Sequence, residues 1–182
     1  MVGRPSRYWN VRPEDLDVAL PCDGYVTGDV AVLLRAIDVA APAELLYRWV
    51  CQIRVAPYSY DLIDNRGRKS PDQLTPGAEE VRAGDQFLVF TVVDVEAGVH
   101  ISGLSTPAAR RLYGPFAISY VVLPIDAEHS RLLVRMCCAA RGPVQRLRRW
   151  LIEYGDLVMM RKQLLNLRAL AERDAMVGTF RR

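Results

Sequence analysis

The chain has 182 residues, of which 51% are hydrophobic and 25% charged, and its formal net charge is +3. That is an ordinary globular mixture, with enough chain for one domain that needs neither disulfides nor a metal to hold its core. No run approaches the roughly 20 apolar residues of a membrane span, and nothing in the charge balance asks for a nucleic-acid partner.

Residues 1–28 carry Pro5, Pro13, Pro21, Gly24 and Gly28 with little periodicity, which predicts a leader packed on the surface, anchored by Trp9, Leu16 and Leu20. The leader has basic residues but neither an apolar h-region nor a small-residue cleavage site, so a cytoplasmic location is expected. VAVLLRAIDV, from Val30 to Val39, reads as a strand that stops at Ala40-Ala41-Pro42. A helix follows. Pro42 suits its first turn, Glu44 suits the positive end of its dipole, and Leu45, Leu46, Trp49, Val50 and Ile53 form its apolar face.

The next thirty or so residues hold aromatic, acidic and turn-forming groups, with turn signals at Asn65-Arg66-Gly67, Thr75-Pro76-Gly77 and Ala83-Gly84-Asp85. A connection of that length in a compact domain is expected to be functional. Four strand patterns come after it: QFLVFTVVDV, VHISGLS, PFAISYVVLPI and RLLVRMCCAA. Alternation puts Phe116, Ile118, Tyr120 and Val122 on one face of the third, and Leu132, Val134, Met136 and Cys138 on one face of the fourth, with Arg131 and Arg135 pointing the other way.

From Pro143 to about Arg173 the period changes to that of a helix. Leu147, Leu151, Tyr154, Leu157, Met160, Leu164, Leu167 and Ala171 recur every three or four positions and predict one long amphipathic helix, with residues 175–182 as a tail. Residues 29–174 thus read as one domain. Cys22, Cys51, Cys137 and Cys138 form no C-x-x-C and have no histidine at ligand spacing, so no metal site is predicted, and Cys51, Cys137 and Cys138, inside apolar helix and strand patterns, are expected to be small buried hydrophobes. Arg110-Arg111 and the group Arg146, Arg148, Arg149 read as solvated helix faces, with an anion or a membrane surface as the alternative.

This order of elements is that of the helix-grip fold, an α+β architecture in which a curved antiparallel β-sheet wraps a long C-terminal α-helix. RAIDVAAPAELLYRWVCQIRVAPYSYDLIDN resembles the SRPBCC superfamily, also described as START-like or polyketide cyclase-like. It is most similar to bacterial members that pair an Ala-Pro-x-x-x-x-x-x-Trp helix start, here Ala41 to Trp49, with a Tyr-Ser-Tyr-Asp loop, here Tyr58 to Asp61. The leader's Ala19-Leu20-Pro21-Cys22-Asp23 and the later Val81-Arg82-Ala83-Gly84-Asp85 share the resemblance. Two departures stand out: Arg54-Val55-Ala56-Pro57 replaces a longer glycine-rich connection, and Tyr47 replaces a first tryptophan. Both fall where the resemblance puts the entrance or wall of a cavity.

The resemblance implies a cavity between sheet and helix that holds a small hydrophobic ligand, and no cofactor is expected. Such sites are mostly apolar with a few placed polar groups. The expected contacts are Trp49, Tyr58, Tyr60, Asp61, Tyr120, Met136, Tyr154 and Val158, with the cavity floor near Tyr154 to Val158, opposite Tyr120. The expected function is that of a carrier or sensor. The alternative is a cofactor-independent polyketide cyclase, aromatase or dehydratase, for which His100 and Tyr120 are the candidate proton-moving residues. No nucleic acid or transmembrane segment is expected, and a homodimer fits the reading.

Overall fold

The computed structural model describes the backbone of residues 6–65, 67–139 and 142–179, and the side chains of these except 63, 64, 142–152 and 179. Among these described residues seven strands form one curved sheet: β1 (Tyr8–Trp9), β2 (Val30–Val39), β3 (Gln86–Phe87), β4 (Phe90–Glu96), β5 (His100–Ser105), β6 (Phe116–Pro124) and β7 (Ser130–Ala139), in the order β1-β2-β7-β6-β5-β4-β3. Every pairing is antiparallel except β1 with β2. Among the described residues the helices are α1 (Pro13–Leu16), α2 (Ala43–Cys51), α3 (Asp61–Asp64) and α4 (Pro107–Tyr113), followed by the long α5 (Gly142–Thr179). Among the described residues no helix is long and apolar enough to cross a membrane.

Both faces of the sheet are covered. The inner face carries Leu33, Ile37, Ile118, Tyr120, Val122, Leu132, Val134, Met136 and Cys138, packed against Leu46, Trp49 and Val50 of α2 and Met160, Leu164, Leu167 and Ala171 of α5. This is the alternation read from β6 and β7. On the outer face Ala117, Val121, Cys137 and Ala139 pack against Leu20, Cys22 and Val26 of the leader. Arg131 and Arg135 do point outward, but the leader buries them. Arg131 is clamped by Asp15 at 2.9 and 2.6 Å and by Asp38 at 2.8 Å, and Arg135 is paired with Asp23 at 2.6 Å. Anchoring of the leader therefore falls to Asp15, Leu20 and Cys22, whereas Leu16 is exposed. Its apolar character predicts burial, yet the charge-paired side of α1 is the one that faces the sheet.

Three further differences have local causes. QFLVFTVVDV is not one strand: the chain reverses at Leu88-Val89, with Leu88 in the left-handed region at φ 50°, so that Phe87 and Phe90 both turn inward and stack at 5.3 Å. Helix α4 lies where the strand patterns leave a connection, and its start signals are local, with Pro107 in the first turn and the Thr106 hydroxyl accepting from the Ala109 N–H. The last helix continues past Arg173 to Thr179.

The inward face of α5 is also rotated from the expected stripe. Met160, Leu164, Leu167 and Ala171 are buried as expected, but Tyr154 and Val158 are 48% and 54% exposed, and Glu153 is buried in their stead. The reason is charge. Arg35 lies on the inner face of β2, 1% exposed, and pairs with Asp156 at 2.8 Å, while Arg7 pairs with Glu153 at 2.8 Å. A buried guanidinium without a carboxylate is far costlier than an exposed tyrosine, so the acids turn inward and Tyr154 turns out. Leu147, Leu151 and the Arg146, Arg148, Arg149 cluster lie outside the described side chains.

Candidate functional site: a cleft at the mouth of the grip

The inner volume around Tyr120 is filled. Phe87 meets Tyr120 edge-on at 6.2 Å, and Phe90 meets Phe116 edge-on at 5.2 Å. Gly103 makes room for this layer, because a Cβ there would lie 2.7 Å from the Phe87 ring. The Tyr120 hydroxyl donates to Gln163 Oε1 at 2.8 Å, and the other end of that amide donates to the Pro57 carbonyl at 2.6 Å. Burial raises the Tyr120 phenol well above its ordinary pKa, so it stays a donor.

Just outside this layer is an open cleft of about 350 Å³. One wall is the segment from Ile53 to Pro57 that leaves α2, the second is the Leu88-Val89 turn, and the third is Met159, Met160 and Gln163 of α5. Thus the segment that departs from the resemblance, Arg54-Val55-Ala56-Pro57, forms a cleft wall. Its two largest polar side chains are engaged, with Ser59 the one other polar side chain in the lining: Arg54 donates to the Ala78 and Glu80 carbonyls and pairs with Asp85 at 3.0 Å, and Gln163 holds Tyr120 and Pro57. What the cleft presents is chiefly aliphatic and thioether surface.

The Tyr58 to Asp61 loop seals the neighbouring core. Tyr58 is 2% exposed, sits in the left-handed region at φ 55°, and is held there from both sides: its N–H donates to Ser70 Oγ at 3.3 Å, and its carbonyl accepts from Asn166 Nδ2 at 2.8 Å. Asp61 accepts from the Ser70 N–H at 2.9 Å and from its hydroxyl at 2.5 Å, so the carboxylate serves the loop. The Tyr58 hydroxyl is buried with no hydrogen-bond partner among the described residues. Burial, then the charges of Asp61 and Asp72, push it up to about 12. Trp49 is in the core edge-on to Tyr58 at 6.1 Å, donating its indole N–H to Asp174 at 3.1 Å, and Tyr60 is partly exposed.

Of the expected contacts, Tyr120 is one hydrogen bond behind the cleft wall, Met136 packs in the inner core, and Trp49, Tyr58 and Asp61 support the adjoining loop. Tyr154 and Val158 are on the outside of α5, so the floor opposite Tyr120 is formed by Met160 and Gln163. His100 belongs to the other side of the sheet. It opposes Val121, an outer-face residue, and its Nε2 lies 3.2 Å from Asp94, so it shares no site with Tyr120. Gln163, three residues beyond Met160, is on the same helical face and was legible from spacing, whereas Leu88 and Val89 were concealed inside a strand pattern.

A curved sheet closed by a C-terminal helix, with an apolar cleft where the two meet, defines a helix-grip protein. Solved structures share that fold. Norcoclaurine synthase from Thalictrum flavum, in complex with dopamine and hydroxybenzaldehyde, superposes with a TM-score of 0.53 at 13% identity, over 78% of this chain and 86% of the synthase. A protein of Nitrosospira multiformis gives 0.52 at 12% identity, covering 78% and 96% of the two chains. The di-domain ARO/CYC protein StfQ of the steffimycin biosynthetic pathway gives 0.50 at 15% identity, over 80% of this chain and 52% of StfQ. No family model matches the sequence, and no curated protein does.

Proposed function

We propose that the protein binds a small hydrophobic molecule in the cleft between the Ile53–Pro57 segment, the Leu88-Val89 turn and α5, as a carrier or sensor of the SRPBCC type. The observation that carries this reading is the make-up of the wall. Ile53, Val55, Leu88, Val89, Met159 and Met160 offer apolar surface, and of the three polar side chains in the lining, Ser59, Arg54 and Gln163, the two large ones are bonded within the protein. Methionines adapt to ligands of differing outline. The second reading, a polyketide cyclase, aromatase or dehydratase, draws on the ARO/CYC fold neighbour, but its two candidate residues, His100 and Tyr120, are on opposite faces of the sheet.

Native mass spectrometry of the purified protein, together with titration of a fluorescent apolar probe, tests the proposal. Met159→Trp, which fills the cleft, should weaken probe binding by about tenfold or more, consistent with the loss of one or two kcal/mol of apolar contact. His100→Ala should leave it unchanged. Equal probe affinity in the wild type and Met159→Trp would show that the cleft is not the binding site.

A further inference from the structure

We propose that Cys22, Asp23 and Cys137, on the outer face of the sheet, form a binding site for a thiophilic divalent cation of the zinc type. The two sulfurs are 4.0 Å apart and Cys137 Sγ is 3.7 Å from Asp23 Oδ1. One donor atom from each of the three residues lies within 4.8 Å of the other two. Ligand atoms around tetrahedral zinc are about 3.5–3.8 Å apart, given bonds of about 2.3 Å to sulfur and 2.0–2.2 Å to oxygen. Closing the site thus takes shifts of a few tenths of an ångström to about one.

The surrounding hydrogen bonds orient the donors as a metal would need them. Asp23 Oδ2 accepts from the Leu20 N–H at 2.9 Å and from Arg135 at 2.6 Å, which leaves Oδ1 turned toward the thiols. The Cys22 N–H donates to Ser119 Oγ at 3.0 Å, and that hydroxyl is 2.7 Å from Ser102 Oγ, so the backbone carrying Cys22 is fixed to two strands. Charge also closes. Two thiolates, one carboxylate, the Arg135 guanidinium and a divalent cation sum to zero, the two thiol protons leaving to solvent as the metal binds. Both sulfurs are buried, but the Asp23 side chain is 39% exposed, so the cation reaches the site from that side and a water completes its coordination there. The cysteines are separated by 115 positions and meet only because the leader docks on β7, which is why their spacing carries no metal motif. The cation would pin leader to sheet, independently of ligand binding in the cleft on the opposite face.

The test uses the full chain, reduced with a phosphine that is then removed, and titrated with zinc and separately with cobalt. One equivalent should bind, with a thiolate-to-cobalt charge-transfer absorption and a raised thermal midpoint. Cys22→Ser and Cys137→Ser should abolish both signals. Asp23→Asn, which keeps the shape and most contacts of the turn, should lower zinc affinity by about tenfold or more and decides the matter if the cysteine variants fail to fold. Cys138→Ala, on the inner face, should bind as the wild type does. Absence of stoichiometric binding would overturn the proposal, as would binding that persists without Cys22 and Cys137.

Discussion

Tyr120 is the residue at which a filled core and an open cleft meet. Its hydroxyl, wholly buried, is satisfied by Gln163, and the same amide fixes the Pro57 carbonyl in the cleft wall. Replacing Tyr120 with Phe removes the donor and leaves Gln163 Oε1 without it. A buried polar atom left unpaired costs about 1–3 kcal/mol, so Tyr120→Phe should lower stability by that amount in urea denaturation. Since the hydroxyl faces Gln163 and not the cleft, probe affinity should change by less than about twofold, a free-energy change below about 0.5 kcal/mol. A collapse of binding in Tyr120→Phe without further loss of stability would instead mean that the phenol touches ligand directly. Met159, by contrast, lines the cleft without being buried in the main core cluster, so its substitution separates binding from folding.

The β3–β4 hairpin shows how an element outside the helix shapes that site. Phe87 and Phe90 occupy the inner face, and Leu88 and Val89 are thereby left at the tip, 40% and 46% exposed, as one wall of the cleft. Gly103 on β5 permits the arrangement, because any side chain there meets the Phe87 ring. Gly103→Ala should cost about 1–3 kcal/mol through overpacking, and it should shift the hairpin enough to alter probe binding, which thermal unfolding and the probe titration read separately. Unchanged stability would mean that the aromatic layer is looser than its contacts indicate. Patterns of local origin were legible without coordinates: the alternation of β6 and β7, the start of α2, and the inward Met160, Leu164, Leu167 and Ala171. Local periodicity is dominated by hydrophobic burial, so it cannot register a long-range charge. Arg35, 121 positions before Asp156, turns α5 so that Tyr154 faces out, and the leader buries Arg131 and Arg135 on the face to which alternation assigns them but for which it names no cover. The hairpin was hidden for a related reason, since Leu88 and Val89 are β-formers placed where tertiary packing demands a turn.

At the scale of the whole molecule, the leader and α5 are joined across the inner face by buried charge. Arg35 donates to the carbonyls of Ser6 and Arg7, Arg7 pairs with Glu153, and Asp156 answers Arg35. Burial pushes the Asp156 carboxyl up to about 6, against the lowering influence of Arg35. For Asp15 burial is also the largest single influence and acts upward, but the hydrogen bonds and charges of Arg131 and Arg12 together outweigh it, so its pKa falls below the ordinary value. These two acids act in different pH windows. A carboxylate with a depressed pKa loses its contribution as pH falls below its unfolded value of about 3.9, whereas one with a raised pKa loses its contribution as pH rises from about 3.9 through its folded value. Asp156 should therefore reduce stability between about pH 4 and pH 6, by at most about 3 kcal/mol for a two-unit shift at 1.36 kcal/mol per unit. In Asp156→Asn that slope should vanish, so the variant's stability relative to the wild type should improve by up to that amount between pH 4 and pH 7, whatever the variant's absolute stability. Urea titrations of both proteins at a series of pH values measure the difference directly. A constant gap across the window would mean that Asp156 is ionised throughout, and that the tie between leader and helix is a fully charged pair whose mutual attraction outweighs its desolvation.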